Sequence, residues 1–204
     1  MMLHQHPGEL ALTRRLIELC SFVPGAKVLD VGCGTGATMR YIHSVCRLET
    51  IGIDSSAERL NEARMCSPGL TFIQASGESL PFAPAMFDGV LAECSLSVMQ
   101  DVGLALQEIS RVLVPGGKMA ITDLYLADSD SSAGYLNKKQ QQTILRELGF
   151  TSLVWEDQSA FLREFVARYI MEHGSMEELW QCVVTSGKKI GYFLLVAEKK
   201  ATKG

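Results

Sequence analysis

The stretch VLDVGCGTGATM, Val28 to Met39, sets Gly32, Gly34 and Gly36 on alternate positions, with a carboxylate, Asp30, just ahead of them. Glycines between an apolar strand-like run and a helical segment let the backbone approach a ligand closely and turn free N–H groups towards it. No lysine follows Gly36, so the phosphate-cradling pattern GxxxxGK[ST] is missing and a nucleoside triphosphate is a poor fit. The dinucleotide spacing GxGxxG is incomplete as well, because Ala37 stands at its third glycine. Alanine is sometimes accepted there, so a NAD-linked oxidoreductase is weakened as a reading and stays open.

A second carboxylate, Asp54, ends the segment LETIGID, Leu48 to Asp54. In an open sheet the ends of adjacent strands face one crevice, where a carboxylate accepts both hydroxyls of a ribose. A nucleoside with a cationic or uncharged tail suits this pair of carboxylates better than a pyrophosphate does. A third, Glu93 in LAECSL, follows the expected end of a fourth strand. It is placed to orient a cofactor, to take a proton from an acceptor, or simply to anchor its loop. Beside it Cys94 is either a small apolar filler or a pocket thiol. Asp123 and Tyr125, after a fifth strand, suit a substrate pocket, with Tyr125 as an aromatic wall against the substrate.

These residues need a frame, and the hydrophobic pattern supplies one. Helical spacing runs from Leu10 to Phe22 and stops at Pro24-Gly25. Strands are expected at Lys27 to Val31, Leu48 to Asp54, Thr71 to Gln74, Gly89 to Ala92 and, after the turn VPGG, Lys118 to Asp123. Helices alternate with them at Thr38 to Val45, Ser56 to Met65 and Val102 to Val112, with Ser55 or Ser56 able to cap the second. This alternation argues for a doubly wound α/β domain, a parallel sheet with helices on both faces. Further on, a helix at Lys138 to Leu148, a strand at Thr151 to Glu156, helices at Ser159 to His173 and Met176 to Val184, and a buried last strand at Gly191 to Glu198 are expected. The two helices read as an insertion at about 157–185, and the stripe Phe161, Leu162, Phe165, Val166, Tyr169 and Ile170 as core. His173, ahead of Gly174, reads as a helix-end contact.

Bulk properties narrow the function classes. With 204 residues, 47% of them hydrophobic, one domain over 1–204 is the expectation. A net charge of -4 with interspersed signs offers no basic stripe, so a small molecule and not a nucleic acid is the expected partner. The six cysteines never form CxxC and read as reduced thiols. His4 and His6 lack an HExxH or carboxylate partner, so no metal is expected. The N-terminus lacks a signal-peptide pattern and no segment nears about 18 uninterrupted apolar residues, so the expectation is a cytoplasmic protein without membrane insertion. No oligomeric state is implied.

Taken together, LDVGCGTG, the GID of the second strand, ASGESLPF, FDGVLAECSL and EISRVLVPGGKMAITDLY, in this order, resemble the class I S-adenosylmethionine-dependent methyltransferases. The LPF loop and RVLVPGG turn are similar to those of the type 11 small-molecule group that includes ubiquinone and menaquinone C-methyltransferases. The resemblance covers Leu10 to Asp123 closely and the final strand loosely. It implies a Rossmann-like, mostly parallel seven-stranded sheet whose last strand is antiparallel. It also implies S-adenosylmethionine as methyl donor and S-adenosylhomocysteine as product. By resemblance, Asp30 lies near the methionine amine, and Gly32, Cys33, Gly34 and Gly36 shape the loop around the methionyl part. Asp54 binds the ribose and Ser55 sits beside adenine. The family commonly has Asp where this chain has Ser76, so adenine recognition shifts towards Ser76, Gly77 and Glu78, with a weaker hydroxyl contact in place of a charge-assisted one. A general likeness to arsenite methyltransferases fails on the cysteine set. The rival of another class is a non-catalytic S-adenosylmethionine-binding or partner-binding module with a filled acceptor pocket; an enzyme should instead have a cavity running from the Gly34 loop to Glu93 and Tyr125.

Overall fold

The computed structural model describes residues 6–127, 135–174 and 189–201. Its seven strands are β1 (Lys27–Val31), β2 (Glu49–Asp54), β3 (Thr71–Gln74), β4 (Phe87–Glu93), β5 (Leu113–Leu126), β6 (Phe150–Asp157) and β7 (Ile190–Lys199). They form one sheet in the order β3-β2-β1-β4-β5-β7-β6. The pairings among β1 to β5 are parallel, while β7 runs antiparallel to both its neighbours, β5 and β6. The fold is therefore Rossmann-like with a reversed last strand. β7 lies inside the sheet, which is why GYFLLVA is continuously apolar and its seven residues are all buried.

Among the described residues six α-helices cover the two faces: α1 (Glu9–Cys20), α2 (Ala37–Ser44), α3 (Ala57–Cys66), α4 (Val102–Val112), α5 (Lys138–Glu147) and α6 (Ser159–His173). Successive strand residues point to opposite faces. Val28, Leu91, Ala120 and Leu194 meet α1 through Leu12 and Leu16. On the other side Leu29, Val90, Ile121 and Phe193 meet Leu106 and Ile109 of α4 and Leu145 of α5. Leu162 of α6 packs on the α1 side of the sheet, and α6 lies between β6 and β7 in the chain. Met176 to Val184, expected as a further helix, lies outside the described residues.

Local chemistry explains the helix starts. Ser56 accepts Arg59 N–H and caps α3, Asp101 accepts Leu104 N–H and caps α4, and Asn137 with Gln140 forms a capping box on α5. His173 stacks on Tyr169 at the end of α6, where Gly174 turns left-handed.

The fifth strand is longer than the pattern implies. Leu113 already pairs with Phe87, the register then shifts, and Lys118 pairs with Gly89, so VPGG is a bulge inside β5 and not a turn before it. At its other end β5 runs on to Leu126 because the antiparallel β7 pairs with it as far as Ile190.

Candidate active site

The order β2-β1-β4 brings the C-terminal ends of three parallel strands side by side, and each end carries a carboxylate: Asp54, Asp30 and Glu93. Asp54 is buried, and its oxygens accept Gly34 N–H at 2.9 Å and Ser56 N–H at 2.8 Å. It ties the glycine loop to the start of α3. Glu93 accepts the Thr13 hydroxyl at 2.9 Å and the Thr38 hydroxyl at 2.7 Å, joining β4 to α1 and α2. Asp30 is only 3% exposed, and among the described residues its Oδ2 has no hydrogen-bond partner. Burial, then Glu93, then Asp54 push its carboxyl well above the usual carboxylate range.

The loop between β1 and α2 shows why glycine recurs there. Gly32 has φ +80°, and a Cβ on it would lie 2.4 Å from Ser95 Cβ, so both conformation and space require glycine. Ser95 is fixed in turn by donating to Val31 O at 2.7 Å. Gly34 is also left-handed, with φ +51°, yet a Cβ there would meet nothing within 4 Å. That open space beside Asp54 is a cradle in which a ligand comes against bare backbone. The Cys33 side chain is not part of it: it packs with Met39, Leu60 and Phe72, and burial holds its thiol neutral by raising its pKa.

Ser76, Gly77 and Glu78 form a tight unit. The Ser76 hydroxyl donates to Glu78 Oε2 at 2.6 Å, Glu78 Oε1 accepts Asp101 N–H at 2.8 Å, and a Cβ on Gly77 would collide with Met99. Those hydrogen bonds hold the Glu78 carboxyl below its ordinary range. Ser55 is exposed, and its carbonyl accepts from Gln74 Nε2. The following LPF loop is held by α4: Arg111 donates to Phe82 O at 2.7 Å and Leu80 O at 3.0 Å, while Glu108 accepts Leu80 N–H at 2.8 Å. Arg111 also forks onto Glu108, so the RVL and LPF motifs form a single clamp.

Tyr125 lies apart from the carboxylates. It points into the α4–α5 side, edge-on to Trp155 at 5.2 Å, and its hydroxyl donates to Asp157 at 2.8 Å. Glu93 faces the α1–α2 side, and neither it nor Tyr125 lines the apolar cavity found among the described residues. The acceptor-facing expectation passes instead to the loop after Glu93. Ser95 packs on Gly32, and the next residues, Leu96 and Ser97, wall an apolar cavity with Val102, Leu106, Tyr135 and Phe193. Asp123 lines this cavity and accepts Ser97 N–H at 2.9 Å. Cys94, left-handed at φ +52°, lies 3.0 Å from Tyr192 Oη, which donates to Thr122. Burial raises both the Cys94 and Tyr192 pKa values, leaving two neutral groups.

Thr13 and Thr38 were not singled out from the sequence. A threonine on a helix carries no periodic signal of a polar contact, and only the approach of α1 and α2 to β4 reveals these two. His6 is close to the N-terminal turn, and His4 lies outside the described residues.

A cationic nucleoside fits this arrangement on two counts: the buried oxygen on Asp30 lacks a donor, and the space at Gly34 lacks a side chain. Such a site on a parallel sheet with an inserted reversed strand defines the class I S-adenosylmethionine-dependent methyltransferases. Comparison with known proteins agrees. Residues 29–121 match the family described as methyltransferase domain. An O-methyltransferase of Pyrenophora dematioidea is 31% identical over 220 residues, covering 94% of this chain and 82% of that protein. O-methyltransferase rstn1 of Aspergillus nomiae is 40% identical over 121 residues, which span 56% of this chain and 54% of that protein. Among solved structures, geranyl diphosphate methyltransferase in complex with S-adenosylmethionine superposes with a TM-score of 0.80 at 14% identity, covering 94% of this chain and 85% of its own. The [4+2]-cyclase SpnF superposes with a TM-score of 0.79 at 25% identity, covering 98% and 85%. The chain belongs to the S-adenosylmethionine-dependent methyltransferase family and is an enzyme of that class, with S-adenosylmethionine as its cofactor and a small molecule as its substrate. Among the described residues no helix is long and apolar enough to cross a membrane.

Proposed function

We propose that the enzyme methylates a hydroxyl oxygen on a partly apolar small molecule. The observation that carries the site assignment is the unpartnered Asp30 oxygen beneath the glycine loop. The oxygen acceptor is supported by the two O-methyltransferase relatives, and the apolar character by the cavity at Leu96, Val102 and Phe193. When bound, S-adenosylmethionine supplies a methyl group activated on a positively charged sulfur, so the protein's task is orientation and exclusion of water. Asp54 holds the ribose hydroxyls while keeping the loop in place. Asp30 meets the ammonium, and the backbone from Gly32 to Gly36 lies along the methionyl part. Ser76, Gly77 and Glu78 border the adenine, with Ser55 at its edge.

Glu93 is a positioning residue in this reading, since both of its oxygens already accept threonine hydroxyls. Exchange of Glu93→Gln should lower turnover about two- to tenfold without moving the pH profile; loss of one limb of that profile would make it a base instead. We read 1–204 as one domain with an insertion after β6. A cytoplasmic location is supported by Cys20, Cys33, Cys46, Cys66 and Cys94, none of which is in a disulfide.

Calorimetric titration of dialysed protein with S-adenosylmethionine and, separately, NAD tests the site. Micromolar binding of the first alone is expected, followed by label transfer to phenols or alcohols in an acceptor screen. Binding of NAD, or of neither, overturns the assignment. Cofactor binding without transfer to any acceptor would favour a use of this fold other than methyl transfer, as the similarity to a [4+2]-cyclase illustrates.

A further inference from the structure

Three carboxylates meet at the strand ends, and among the described residues one of their buried oxygens, on Asp30, has no donor. Asp54 is served by two backbone N–H groups and Glu93 by two hydroxyls. Asp30, on the strand between them, is 3% exposed with Oδ2 unpartnered. The charges acting on it are Glu93 from β4 and Asp54 from β2, both negative. From its own loop it faces the Cys33 thiol, which burial keeps neutral, and the helices over this side bring Thr13 and Thr38 to Glu93, also neutral. A bare carboxylate at Asp30 would thus be buried beside two like charges with no described donor on Oδ2, an arrangement that disfavours its charged form.

We propose that Asp30 carries a proton in the cofactor-free enzyme and gives it up as S-adenosylmethionine binds, so that the cationic cofactor is taken up in exchange for a proton. This rests on the assignment of the cofactor to this site. The balance is simple. The Oδ2–H bond breaks with its electron pair left on the carboxylate, the proton goes to solvent, and the new negative charge faces the ligand's ammonium. Nothing is oxidised or reduced.

Exchange of this kind makes cofactor affinity depend on pH with a definite sign. Between the ordinary carboxylate range and the raised value of Asp30, affinity rises with pH, by up to about tenfold per unit for one proton. Above that window it levels off.

The test is titration calorimetry of the full chain with S-adenosylmethionine at a series of pH values above the ordinary carboxylate range, each in two buffers of different ionisation enthalpy. Release of up to about one proton per cofactor bound is expected within that series, and close to none at any pH from Asp30→Asn. Infrared difference spectra provide a second readout that does not depend on the variant. A protonated-carboxyl band should disappear when cofactor is added to the wild-type enzyme. Cofactor binding with a proton count near zero, or a carboxyl band that persists in the complex, overturns the proposal and leaves the methyltransferase site assignment standing. No binding heat in either buffer overturns both.

Discussion

At the ends of β1, β2 and β4 the sheet gathers three carboxylates, two of them buried, and leaves Asp30 Oδ2 without a partner among the described residues. A few strands away, across β5, β7 and β6, it also buries polar side chains, but there the described hydroxyls and ring N–H groups are paired. Tyr125 donates to Asp157, Trp155 to Gln141, and Tyr192 to Thr122. Trp155 stacks on Phe193 with an interplanar angle of 1° at 6.1 Å. Equal burial has opposite consequences in the two regions. A satisfied polar network stabilises the fold, whereas an unsatisfied one stores a cost that a proton or a ligand relieves.

The sharpest way to break that contrast is at Gly32. Exchange of Gly32→Ala combines a left-handed backbone with a Cβ 2.4 Å from Ser95, and should destabilise the protein by about 2–5 kcal/mol. Denaturant unfolding checks this, and a loss under about 1 kcal/mol would mean that the loop accommodates a side chain. Next, Asp54→Ala should weaken cofactor binding ten- to a hundredfold or more, at roughly 1.5–3 kcal/mol for each charge-assisted hydrogen bond lost. Unchanged affinity by calorimetry would remove its ribose role.

Asp30→Asn separates stability from binding. Burial, with Glu93 and Asp54, raises the folded-state value above the unfolded one, so between the two the folded chain holds a proton that the unfolded chain has lost. Cofactor-free stability therefore falls as pH rises through that window. In the variant that part of the slope should vanish while cofactor affinity drops. Thermal melts across pH compare the two, and parallel curves would show that Asp30 does not carry the proton. The smallest effect is expected in the paired region. Removing the Tyr125 hydroxyl with Tyr125→Phe should cost about 0.5–1.5 kcal/mol, at the lower end because Asp157 is exposed, and should leave cofactor affinity unchanged. A tenfold loss of affinity would instead place Tyr125 in the binding region.

Much of the candidate site proposed to hold the cofactor is legible in the sequence. Asp30, the three glycines and Asp54 belong to strand–turn–helix units only a few residues long, where sequence spacing and spatial spacing nearly coincide. The partners of Glu93 were not legible, because Thr13 and Thr38 are 80 and 55 residues away along the chain. Nor was the hold of Arg111 on the LPF loop, across 29 and 31 residues. The VPGG turn was misread for a related reason: whether such a turn ends a strand or bulges within it is decided by the neighbour it pairs with, here Phe87.

By itself, then, the sequence determined the alternation of strands and helices, the glycine loop and the carboxylates at strand ends, since all of these follow from local periodicity and backbone sterics. Only the tertiary structure decided which face each strand-end residue serves. Glu93 turns to the threonines of α1 and α2, while Tyr125 turns to Trp155 and Asp157. Side chains alternate along a strand, so a residue's face depends on register and on the helices packed there, which are set by contacts among distant parts of the chain.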